Sequence, residues 1–71
     1  MLTVATLGER LRDARRRAML TQEELAEASG VGVATIIRIE RGQVRTEPHF
    51  STLRKLAAAL DVEPRELHPD A

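Results

Sequence analysis

The stretch from Thr21 to Gly42, TQEELAEASGVGVATIIRIERG, constrains this chain more than any other, because it spells two short helices with almost no residues between them. Thr21 followed three residues later by Glu24 is a capping box: the threonine hydroxyl accepts from the Glu24 amide, and the glutamate accepts from the amide of Thr21. A helix therefore begins at Gln22. Its inward face is expected to hold Leu25, Ala28 and Ser29, with the small Ala26 where a second helix comes close. Gly30 can take the left-handed conformation that ends a helix without a Cβ penalty, and Val31 follows as a buried plug. The second helix runs from about Val33 to Arg41 and stops at Gly42. Ile36, Ile39 and Glu40 share its core side, while Val33, Ala34, Ile37, Arg38 and Arg41 share the other.

Similar punctuation divides the flanks. Thr6 and Glu9 repeat the capping box, so a first helix starts near Leu7 and runs to about Ala18 or Met19, with Leu7, Leu11, Ala14 and Ala18 inward. Glu9, Arg10, Arg12, Asp13, Arg16 and Arg17 form its solvated face, and Arg16 or Arg17 is a candidate phosphate contact. Beyond Gly42 a polar loop reaches Pro48. A helix from Pro48 or His49 to Leu60 then buries Leu53, Leu56, Ala57 and Leu60, with Phe50, the only Phe, Tyr or Trp, filling core volume. Asp61 ends it and Val62 is a buried link. Glu63-Pro64 starts a last short helix, since proline suits the first helical position, and Leu67 docks inward. The expectation is an all-α, compact five-helix domain spanning residues 1–71, with an uncapped, frayed start over 1–5.

The 71 residues include no cysteine, so a small core must hold the fold without disulfides. No apolar run approaches membrane-spanning length, and the chain reads as soluble, intracellular and cytoplasmic. Formal charge is zero, but residues 1–45 hold eight bases and six acids against three and five in residues 46–71. That mild asymmetry permits a basic face on the front half and predicts weak non-specific binding to a polyanion. An enzyme is not expected: no nucleophile sits in a catalytic context, His49 and His68 read as ordinary surface histidines, and two such histidines do not make a metal site. No cofactor motif occurs.

Taken together, LRDARRRAMLTQEELAEASGV, IIRIERG and LRKLAAALDVEPREL resemble the lambda-repressor-like, Cro/C1-type helix-turn-helix domains of phage repressors and small bacterial regulators, over residues 7–67. The resemblance implies that Arg15 and Glu40 form a largely buried ion pair, an expectation that chemistry supports because an unpaired carboxylate beside Ile36 and Ile39 would be costly. It implies that Gln22, Thr35, Arg41, Gln43 and Arg45 hold DNA phosphates and that Val33, Ala34 and Arg38 see bases. Gly32 stands where a serine or threonine usually caps the recognition helix, which loses that phosphate contact or leaves it to the backbone. Met19 stands where glycine usually ends the first helix, which implies a less sharp exit.

The residues make a physical case of their own. A helix with small side chains at its start can enter the major groove closely, where Val33, Ala34 and Ile37 meet thymine methyl groups and Arg38 forks onto guanine O6 and N7. Amides at the start of the Gln22 helix offer donors and a positive dipole end to a phosphate. The expected function is a sequence-specific, repressor-like transcriptional regulator that binds double-stranded DNA as a homodimer. The apolar Val33, Ala34 and Ile37, in place of polar base readers, keep open the alternative of an antitoxin or adaptor module whose main partner is a protein.

Overall fold

The computed structural model describes residues 6–43 and 48–68, and in them the chain forms five helices with no strand: α1 (Leu7–Arg17), α2 (Gln22–Ser29), α3 (Val33–Glu40), α4 (Phe50–Leu60) and α5 (Pro64–Leu67). The expected fraying of residues 1–5 lies outside the described residues. Both capping boxes close. At α1 the Glu9 amide donates to Thr6 Oγ1 at 3.2 Å and the Thr6 amide to Glu9 Oε1 at 3.2 Å; at α2 the corresponding distances are 3.0 and 2.9 Å. Gly30 ends α2 at φ 76°, and the amide of the buried Val31 donates to Ser29 Oγ at 3.1 Å, so the plug enters the core with its N–H satisfied.

Leu11, Leu25, Ile36, Ile39, Leu56 and Leu67 are all but inaccessible, and they join α1, α2, α3, α4 and α5 in one core cluster. α2 packs on α3 and α4, while α1 packs on α3 and α5. The α1–α3 crossing is close because residue 8 has no side chain: a Cβ on the buried Gly8 would overlap the carbonyl oxygens of Ile39 and Glu40. Sequence spacing gave no hint of this, since a glycine near a helix start reads only as a weak helix former.

Several burial expectations are corrected. Ala18 and Ala28 are exposed: Ala18 has become the C-cap residue of α1, and the one fully buried side chain of α2 is Leu25. Phe50 is 48% exposed, since it is the first residue of α4 and projects past the end of the core. His68 is only 7% exposed, its ring edge-on to Phe50 with centroids 6.1 Å apart. The exit from α1 is as sharp as glycine would make it. Met19 takes φ 59°, Leu20 N donates to Arg15 O at 3.1 Å and Met19 N to Arg16 O at 2.9 Å, the paired bonds of a Schellman turn. Asp61 ends α4 in the same way, at φ 56°.

Candidate nucleic-acid interface

α3 carries the greatest density of candidate residues, and its orientation is fixed from its buried side. Ile36 and Ile39 are at most 1% exposed, and the Glu40 side chain is 2% exposed at the C-terminal end of the helix. Arg15 meets that carboxylate as a fork: Nε donates to Oε2 at 2.7 Å and Nη2 to Oε1 at 2.9 Å. Its third arm, Nη1, donates to Leu20 O at 2.9 Å, so one guanidinium joins α1, the turn before α2, and α3. Planar five-donor geometry suits this task, and lysine could not replace it.

Two further groups converge on Glu40. Arg12 Nε lies 3.9 Å from Oε1 and its Nη2 donates to the Glu40 carbonyl at 3.3 Å, so Arg12 belongs to this cluster rather than to a purely solvated face. Gln22 Nε2 donates to Oε1 at 3.2 Å. Burial pushes the Glu40 carboxyl up, but the bonds from Arg15 and Gln22 and the charges of Arg15 and Arg12 outweigh it and hold the group below the ordinary carboxylate range. The hydrogen bond to Glu40 in turn raises Arg15.

With Ile36, Ile39 and Glu40 turned inward, the other side of α3 is presented outward. Ala34 and Arg38 are exposed, while Val33, Thr35 and Ile37 are half-buried. Arg38 Nη2 reaches Thr35 Oγ1 at 3.5 Å, a long contact that leaves its remaining donors available. Gly32 is the N-cap with no side chain to bond the first amides, though its carbonyl accepts from Thr35 N at 3.0 Å. Arg41 caps the C-terminus, and Gln43 N donates to Arg38 O at 2.9 Å as Gly42 turns at φ 70°. Both side chains are exposed. Arg45 lies outside the described residues. Because Gln22 bonds to Glu40 and Arg41 follows Glu40, the start of α2 and the end of α3 form one neighbourhood.

Among the described residues no three His, Cys, Asp or Glu side chains gather as a metal site, and no helix is long and apolar enough to cross a membrane. A glycine-ended helix, a buried one-residue plug, and a second helix pinned by its core face define a helix-turn-helix protein. The chain belongs to the HTH_3 helix-turn-helix family, whose pattern matches residues 11–67. It is 46% identical over 57 residues, 80% of its length, to the HTH-type transcriptional repressor RghR of Bacillus subtilis (strain 168), and spans 42% of that relative. Among solved structures it resembles the restriction-modification controller protein C.AhdI from Aeromonas hydrophila, with a TM-score of 0.78 and 44% identity over 86% of this chain and 89% of that one. It also resembles the P22 c2 repressor, solved with a synthetic operator, with a TM-score of 0.79 and 33% identity over 90% of this chain and 94% of that one.

Proposed function

We propose that the chain is a sequence-specific double-stranded DNA-binding module of a repressor-like transcriptional regulator, with α3 in the major groove and the start of α2 on the phosphate backbone. The observation that carries this reading is the division of α3: one side is locked to α1 through Arg15 and Glu40, and the other offers small side chains first and Arg38 one turn later. Small groups let the helix approach base edges closely, and a guanidinium supplies two parallel donors to guanine. The synthetic operator bound by the P22 c2 repressor supports the same assignment. Gln22, Thr35, Arg41, Gln43 and Arg45 are assigned to phosphates, Gly32 to a backbone approach, and Val33, Ala34, Ile37 and Arg38 to bases. On this reading the protein acts in the cytoplasm, and its role is binding rather than catalysis.

Two copies are needed, since one recognition helix reads too few base pairs, and paired half-sites about 34 Å apart match one turn of duplex. Protein capture by α3 has less support: the large apolar side chains exposed among the described residues are Met19 and Phe50, neither of which is on that helix. Gel shifts on a selected operator and on random duplex decide the matter. Arg38→Ala is expected to lose preference for one guanine per half-site, about 1 to 3 kcal/mol on the operator and little on random DNA. Arg45→Ala is expected to weaken both and to lower the salt slope by about one unit per half-site. Equal weakening of all sequences by both variants would remove base reading from α3.

A further inference from the structure

We propose that Glu40, beyond pairing with Arg15, is a positioning residue for Gln22: the Nε2 bond to its carboxylate orients the glutamine amide at the first turn of α2 so that its second N–H is held ready for a DNA phosphate. The inference rests on α2 being the backbone-contacting helix. A glutamine side chain is ambiguous, able to turn either its carbonyl or its NH2 toward a ligand. Glu40 removes the ambiguity. A carboxylate only accepts, so the nitrogen must face it, at 3.2 Å. That nitrogen carries two hydrogens in divergent directions, and the one not used by Glu40 suits a second acceptor.

The acceptor itself is immobile. Glu40 is gripped by Arg15 through Nε at 2.7 Å and Nη2 at 2.9 Å, and its backbone carbonyl is bonded by Arg12 at 3.3 Å, so it cannot follow Gln22 outward. The two arginines also balance its charge, which would otherwise repel a nearby phosphate. An ion pair that holds α1 to α3 thereby sets the donor pattern of α2, and the cost of ordering Gln22 falls on folding rather than on binding.

The chain has two glutamines, Gln22 and Gln43, and no asparagine, so the side-chain amide region of a 15N–1H spectrum contains only two NH2 pairs. In the free protein the Gln22 pair is expected to be as rigid as the α2 backbone while the Gln43 pair is mobile; on adding a random-sequence duplex at low salt, the Gln22 pair should shift and stay rigid. Gln22→Met, which keeps length and removes both donors, should bind that duplex about tenfold more weakly with its fold intact. Glu40→Met, which removes the acceptor at similar length, should, if its melt shows it folded, free the amide and weaken binding by a similar factor, with no further loss when combined with Gln22→Met. If that variant is unfolded, the rigidity of the wild-type amide decides. A Gln22 pair as mobile as that of Gln43, or undiminished binding by Gln22→Met, overturns the positioning role while leaving DNA binding in place. Failure of the wild-type protein to bind any duplex overturns the underlying reading instead.

Discussion

At Gly8 and Glu40 single atoms decide the packing of whole helices. Alanine at position 8 would raise local helix propensity, yet its methyl group would overlap backbone carbonyls of α3 that cannot rotate away. Gly8→Ala is therefore expected to destabilise by about 1 to 3 kcal/mol, measured as a lower urea midpoint at unchanged m-value. Glu40 acts through charge. Because its folded pKa lies below the ordinary 4.5, the unfolded chain takes up its proton first as the solution is acidified, so the contribution of the ion pair is fully present above that value and lost below it. Thermal melts from pH 7 to pH 3 should hold steady and then fall steeply below about pH 4.5. Glu40→Gln should flatten that fall while lowering stability at pH 7, because it leaves Arg15 without its counter-charge.

Among the elements, α3 and α4 both start without a side-chain cap. α1 and α2 each begin with a threonine whose hydroxyl bonds an amide, whereas α3 begins at Gly32 with no such bond. Gly32 has φ −60°, and the nearest atom to an added Cβ is Thr35 Oγ1 at 4.0 Å, so a larger residue fits without strain. Gly32→Ser is expected to stabilise the protein by about 0.5 to 1 kcal/mol, read by calorimetry, through a new cap and a less flexible unfolded chain. It should also tighten DNA binding, because the hydroxyl would stand at the helix end assigned to a phosphate. Met19 shows that a left-handed exit can be imposed on a residue that disfavours it: the bonds from Leu20 and Met19 back to α1 close the turn at φ 59° without a glycine.

On the scale of the whole molecule, a net charge of zero predicts that random DNA binds weakly and that useful affinity requires two copies. Leu67 does not serve a partner, since at 1% exposure it belongs to its own core. The homodimer proposed above is assigned instead to the surface beside it. Phe50 lines a shallow groove with Arg54, Glu63, Pro64 and Arg65, so that two apolar rings and both signs of charge share one surface, a mixture that can pair with its own two-fold copy. Phe50→Lys is expected to leave the melt within a few degrees of the parent and to shift the sedimenting species to monomer, with a shallower concentration dependence on operator DNA. A dimer that survives this change would place its interface elsewhere.

What the sequence by itself determined is everything written in local signals. Thr6, Thr21, Gly30, Gly42 and Pro64 bound the helices because capping and left-handed turns involve residues three to five apart, and the pattern of Leu and Ile at three and four marked the buried faces of α3 and α4. The residues proposed for DNA contact were drawn from the spacing on α3 and from resemblance to a known family. Only the tertiary structure decided where distant segments meet. Gly8 matters because α1 crosses α3 at that residue; Arg12 and Gln22 converge on Glu40 from 28 and 18 residues away. Phe50 and His68 exchanged their expected burial because Phe50 is the first residue of α4 and His68, the C-cap of α5, sets its ring edge-on to Phe50. Helical periodicity names a face, but which part of that face is covered depends on the angle and offset of a partner helix, and no local pattern encodes those.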